Sequence, residues 1–175
     1  MDNNTIHVMR LFMAWQDEDE EVWLREMSKS GLHLKKADLF GSYIFTRGEP
    51  REYIYRLDFR NEMKSDLKTY YQLFEEAGWE HVGVLGGWQY WRRPYDPADA
   101  GEIFTDPDSK LEKYRRLSVY LLVPLILLFS STVNIMNIGR PSVMVAFLPI
   151  FAVIFVLAVY SEIRVYQRIQ ELKRL

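Results

Sequence analysis

Two uncharged runs near the C-terminus limit what this chain can fold into. Residues 117–138 pass twenty-two positions without a charge, and residues 142–160 pass nineteen. A bilayer core of about 30 Å needs roughly twenty apolar helical residues to cross it, so both runs have spanning length. A backbone in lipid must satisfy its own hydrogen bonds, which predicts two helices. The connection Gly139-Arg140-Pro141 is short and forces them antiparallel. A buried hairpin in a soluble core is the competing reading, and runs of this length are long for it. Pro124 and Pro149 are expected to kink the helices.

Charge sets the orientation. Lys110, Lys113, Arg115 and Arg116 precede the first run, and Arg164, Arg168, Lys173 and Arg174 follow the second. Only Arg140 lies between them. The positive-inside rule then places both termini in the cytoplasm of a multi-pass cell-membrane protein. Ser130, Ser131, Thr132, Asn134 and Asn137 sit toward the outer end of the first run, as interfacial groups or as an oligomer contact. No charge lies inside either run, so a pore or carrier is not expected. Residues 162–175 should continue as a cytoplasmic helix with an apolar edge of Tyr166, Ile169 and Leu172. That edge has three readings: packing on the preceding domain, pairing in a homo-oligomer, or resting on bilayer headgroups.

The remaining composition mainly excludes. The chain has 175 residues, a net charge of −2 and no cysteine, so disulfide, thiolate and cysteine-metal chemistry are out. The near-neutral balance leaves no basic footprint, and direct nucleic-acid binding is not expected. His7, His33 and His81 share no metal-ligand spacing. No phosphate loop or nucleophile elbow is present, so neither cofactor nor enzymatic activity is expected. A deep cleft with converging charged residues would argue otherwise. The opening MDNNTIHVMR lacks a basic stretch followed by an apolar core, so it does not read as a signal peptide.

Residues 6–93 alternate strand and helix patterns. The acidic cluster Asp17-Glu18-Asp19-Glu20-Glu21 opens a helix, with Asp17 and Glu20 at capping-box spacing. Trp23, Leu24 and Met27 form its stripe and Gly31 its C-terminal stop. Strands follow over 32–40 and 43–47. A second unit repeats the order. Residues 52–60 alternate, with Tyr53, Tyr55, Leu57 and Phe59 on one face and Ile54, Arg56, Asp58 and Arg60 on the other. Leu67, Tyr70, Tyr71 and Phe74 form a helical stripe closed by Gly78, and strands follow over 79–85 and 88–92. This predicts an α+β fold: a duplicated strand-helix-strand-strand unit forming one antiparallel sheet with both helices on one face, a ferredoxin-like sandwich, followed by a two-helix transmembrane hairpin. The five tryptophans, Trp15, Trp23, Trp79, Trp88 and Trp91, are expected in the core rather than on a stacking platform.

One constellation reads as a partner or ligand surface. Arg10 and Arg56 match between the units, and Asp58 shares the face of Arg56. On an open sheet face they would meet an anionic ligand or a protein; otherwise they form a solvated ion pair worth at most about 1 kcal/mol.

Several motifs carry a family resemblance. They are EVWLREM at 21–27 with Gly31, YIFTRGEP at 43–50, YIYRLDF at 53–59, FEEAGWE at 74–80, WQYWRRP at 88–94 and IFTD at 103–106. Across residues 6–115 the chain resembles the bacterial membrane proteins classed as a domain of unknown function numbered twenty-eight twelve. Leu32 stands where the resemblance leads one to expect tryptophan. The resemblance implies a PadR-like transcriptional regulator as partner and supplies no catalytic residue.

The expected organisation is a cytoplasmic domain over 1–93, a linker over 94–109 and a hairpin over 110–175, its helix opened by the capping-box spacing of Ser109 and Glu112. The expected function is a membrane-anchored regulatory or sensing module binding a protein or small ligand. The alternative is an accessory subunit of a membrane complex acting through its hairpin.

Overall fold

The front of the chain lays down strand, helix, strand, strand, and then does so again. The computed structural model describes residues 4–60, 64–99, 103, 107–137 and 141–174. Its elements are β1 (Thr5–Met9), α1 (Asp17–Lys29), β2 (Leu32–Asp38), β3 (Ser42–Arg47), β4 (Tyr53–Phe59), α2 (Lys64–Glu76), β5 (Glu80–Leu85), β6 (Trp88–Pro94), α3 (Pro107–Asn137) and α4 (Pro141–Leu172). The chain divides into two compact units, Met1–Thr105 and Asp106–Leu175.

In the first unit the glycine stops work as expected. Gly31 and Gly78 follow their helices with φ of 79° and 81°, a left-handed backbone open to glycine at no steric cost. The fold is α+β, but the six strands do not join into the single sheet expected. They form two antiparallel three-stranded sheets, β1-β3-β2 and β4-β6-β5. Register steps once in each, between Leu34 and Lys36 against β3 and between His81 and Gly83 against β6.

The reason for the split lies along β4, an edge strand. α1 covers that edge: Leu57 N–H donates to Glu21 Oε1 at 2.7 Å, and Tyr53 N–H donates to Ser28 Oγ at 3.1 Å. Arg51 N–H, just ahead of the strand, donates to the Ser28 carbonyl at 3.2 Å. These helix groups take donors that a further strand would have used, and they blunt an otherwise open edge.

Both faces of the second sheet are covered. Tyr55, Leu57 and Tyr90 join Leu24 of α1 and Leu34, Tyr43 and Phe45 of the first sheet in one core. On the opposite face Ile54 and Trp91 pack with Tyr70, Phe74 and Trp79. A fully buried side chain of this size contributes roughly 2–3 kcal/mol. Trp79 and Trp91 are buried, and Trp23 and Trp88 pack half-buried against the first core. Beyond β6 the chain stays tied to the domain: Tyr95 N–H bonds the Glu52 carbonyl, and Ile103 packs on the Trp91 cluster.

In the second unit α3 and α4 are 31 and 32 residues long and continue through Pro124 and Pro149. Both are long and apolar enough to cross a membrane, over Asp108–Asn134 and Leu148–Leu172, and those windows are only 6% buried. The two helices touch: Ser118 of α3 donates to Glu162 Oε2 of α4 at 2.6 Å. Ser131, Thr132 and Asn134 donate to carbonyls four residues back, which satisfies these polar groups inside their own helix. On the expected apolar edge of α4, Ile169 and Leu172 are buried while Tyr166 is exposed, and Val165 takes its place. α3 begins at Pro107, ahead of the Ser109 spacing. The connection through Gly139 and Arg140 lies outside the described residues.

Candidate functional site

The acidic first turn of α1 does not make the expected capping box. Gln16 is the N-cap, without a side-chain cap bond. Asp17 and Glu20 turn inward and are 2% and 6% exposed. Burying carboxyl groups is costly unless hydrogen bonds offset it. Glu20 has two such bonds on one atom: Oε1 accepts from the Tyr43 hydroxyl at 2.8 Å and the Tyr90 hydroxyl at 2.7 Å. Tyr43 comes from β3 and Tyr90 from β6, so one carboxylate of α1 ties the two sheets together.

Burial drives the electrostatics. Desolvation raises the Glu20 carboxyl above its ordinary range; the two hydroxyls pull it back, and Asp17 pushes it up again. Burial, then the negative charge of Glu20, pushes both tyrosine hydroxyls well above theirs. They therefore remain protonated donors.

These groups line a cavity of about 150 Å³. Asp17, Glu20, Tyr43 and Tyr90 give it a polar side, and Phe12, Leu57, Leu85 and Trp88 an apolar one. Asp38 adds a third carboxylate. Among the described residues no Lys, Arg or His lines it. At its rim Phe40 is 87% exposed and holds φ 62°, a left-handed backbone uncommon for a bulky residue.

The residues singled out in the sequence lie elsewhere. Arg10 is exposed, stacked 5.0 Å from the Phe12 ring and 5.2 Å from the Trp23 ring. Arg56 bonds Glu21 Oε2 at 3.1 Å and the Tyr55 carbonyl at 2.9 Å. Asp58 is fully buried beside Arg60, whose Nε is 3.4 Å from Oδ2. The expected open face is thus closed, because α2 packs over it. Nor do Arg10 and Arg56 match. Arg10 N–H bonds the Gly41 carbonyl and Arg60 N–H the Gly87 carbonyl, each at 2.8 Å. Arg10 stacks on Trp23 and Arg60 on Tyr70, each eight residues ahead of the stop glycine. Arg60 is the counterpart of Arg10.

A signal for the missed residues was present. Counting back from Leu24 at helical spacing reaches Glu21, Glu20 and Asp17, so the buried stripe of α1 runs directly into its acids. A role at the helix dipole alone leaves such acids at the surface, whereas here Asp17, Glu20 and Glu21 are buried. Among the described residues no group of three or more His, Cys, Asp or Glu is arranged to hold a metal ion.

With this geometry in place, comparison with known proteins identifies the family. Protein of unknown function (DUF2812) matches residues 16–126, well over half of the chain, and the chain belongs to that family. The match contains Asp17, Glu20, Tyr43 and Tyr90. No curated protein and no solved structure matches the chain.

Proposed function

We propose that this member of the DUF2812 family is a membrane-anchored, non-enzymatic sensing or regulatory module whose α+β domain binds a small ligand or a protein partner. The observation that carries this reading is the cavity at the junction of the two sheets, where Glu20 links β3 to β6. A ligand seated there touches α1 and both sheets at once and can bias how they pack. Helices α3 and α4 serve as the anchor. Their flanking basic residues put both termini on the cytoplasmic side, with the domain over 1–93 and a connection over 94–109. The common strand order and register step of the two sheets support an origin by duplication.

The convergence of acids in a cavity is what would favour an enzyme. Binding fits better here. Both tyrosines are held protonated, and both donate to the same oxygen of Glu20. The cluster fixes charge and hydrogen bonds rather than pairing a nucleophile with a base. A PadR-like regulator, implied by family resemblance, is the first protein partner to seek.

Capture of partners by the full chain from detergent-solubilised membranes tests the reading. The comparison is a chain with residues 117–160 replaced by an unrelated hairpin. A partner retained by both supports the sensing domain. A partner lost on replacement supports the alternative, an accessory subunit acting through its helices. Digestion of the N-terminal domain by protease added outside intact cells would overturn the orientation.

A further inference from the structure

We infer that the outer edge of β1 is an interaction surface for a second copy of this chain, which adds its own β1 antiparallel across a two-fold axis at Val8. The inference goes beyond the proposed function and stands without it. The ladder to β3 fixes which groups point outward. Arg47 N–H donates to the Asn4 carbonyl and Arg10 N–H to the Gly41 carbonyl, so the even positions of β1 bond β3. His7 and Met9 therefore turn their N–H and C=O groups away from the sheet. Both residues are exposed, and among the described residues no hydrogen bond reaches these four groups.

The other outer strands differ. By the same alternation β4 presents Tyr53, Tyr55 and Leu57, and all three are engaged. Ser28 and Glu21 accept from Tyr53 and Leu57 N–H, and Arg56 donates to the Tyr55 carbonyl. β2 and β5 lie against each other, and each carries the register step of its sheet. β1 pairs with β3 without a step, and its sequence TIHVM holds no acid, no lysine or arginine and no proline. Charges, prolines, bulges and covering helices are what keep an edge from pairing. Nor does α2 carry the cap that α1 provides. Ten residues ahead of the stop glycine, Lys68 stands where α1 has Glu21, and an ammonium group accepts no hydrogen bond.

The pattern of outward groups selects the occupant. A two-fold axis at Val8 sets His7 of each copy opposite Met9 of the other. Each such pair exchanges two hydrogen bonds, so every outward group of His7 and Met9 finds a partner and none is left over. The contact is isologous and closes as a dimer. A longer foreign strand would run on to Thr5, which already has a partner, and to Leu11, which lies beyond the strand. Self-pairing sets no Lys, Arg, Asp or Glu against its like, because β1 has none. On one face Val8 meets its own copy. On the other, Met9, 71% exposed, is covered by His7 of the second copy. Two three-stranded sheets thereby become one of six.

The chain has no cysteine, so single cysteines report the register. Val8→Cys meets itself in a non-hydrogen-bonded pair with Cα atoms about 4.5 Å apart, within disulfide reach. Ile6→Cys lies about 14 Å from its copy, out of reach. The full chain in detergent micelles, treated with a mild oxidant, should cross-link through Val8→Cys and not through Ile6→Cys. By sedimentation the unaltered chain should be a dimer. His7→Pro should weaken that dimer at least about tenfold with the far-UV spectrum retained, because it removes an outward donor that β3 does not use. A monomer at every concentration, cross-linking through Ile6→Cys but not Val8→Cys, or a dimer indifferent to His7→Pro overturns the self-pairing. Capture of a different protein that His7→Pro releases would assign the edge to a foreign strand and also overturns it. The cysteine pair does not depend on the proline variant, so its misfolding does not rescue the claim.

Discussion

α1 and α2 are each 13 residues long and each ends shortly before a left-handed glycine, yet they make different contacts. α2 covers its own sheet with rings: Tyr70 and Phe74 against Trp91 and Ile54. α1 packs Leu24 into a core shared by both sheets, bonds the edge of β4 through Glu21 and Ser28, and places Glu20 in the cavity. One helix packs a single sheet, and the other joins two. The same strand order is thus held within one sheet in one half, where Tyr70 and Tyr71 bond Trp91 and Gln89 of β6, and across two sheets in the other, where Glu20 bonds Tyr43 and Tyr90. Substitutions at corresponding positions should separate these two modes.

The largest effect tests what they share. Trp91 and Phe45 are both fully buried central-strand side chains, so W91A and F45A should each cost about 3–5 kcal/mol in urea unfolding. A cost below 1 kcal/mol for either would mean that its sheet is not part of the cooperative unit. The next effect separates the helices. Glu21 accepts from Leu57 N–H and pairs with Arg56, whereas the residue ten ahead of Gly78, Lys68, is exposed. E21A should cost about 2–3 kcal/mol, because a buried donor loses its acceptor, while K68A should stay within about 0.5 kcal/mol. Equal effects would remove the distinction. The matched arginines come third. R60A leaves Asp58 buried beside a lost cation and should cost about 2 kcal/mol. R10A loses a ring contact on an exposed surface and should cost about 0.5–1 kcal/mol.

The smallest effect is a pair of pH slopes. Burial raises the Glu20 carboxyl above its ordinary 4.5, so the folded chain holds a proton that the unfolded chain has lost. Its stabilising contribution is complete below pH 4.5 and is lost as pH rises through the folded value. Burial lowers His81 below 6.5 despite its bond to Gln89, so stability is present above 6.5 and is lost as pH falls through the depressed value. E20Q should flatten the first slope. H81L, which copies Leu34 at the matching register step, should flatten the second. Urea midpoints across pH give both slopes, and an unchanged slope in either variant refutes its assignment.

Periodicity and glycine stops made the helices and strands legible, because both signals are local. The stripe of Leu67, Tyr70, Tyr71 and Phe74 leads to α2 and Gly78 ends it. Facing was harder to read. The alternation in β4 correctly separates Tyr55 and Leu57 from Ile54 and Asp58, but only the packing of α2 shows that the second face is also closed. The pairing of Arg10 with Arg56 followed similar letters. Register depends on hydrogen bonds to Gly41 and Gly87, which lie 31 and 27 positions further along the chain. The cavity was hidden for the same reason: Glu20 meets hydroxyls 23 and 70 residues away. Long apolar runs, by contrast, announce themselves without reference to any partner.

The contacts along β4 bear on how the protein is made. Glu21 and Ser28 leave the ribosome before Tyr53 and Leu57 do, so the strand emerges to find the groups that cap its edge already translated. An uncapped edge is where a nascent chain pairs with a wrong neighbour. The apolar helices α3 and α4 come after all six strands. Order of synthesis therefore makes the groups that cap this edge available before the long apolar helices are translated.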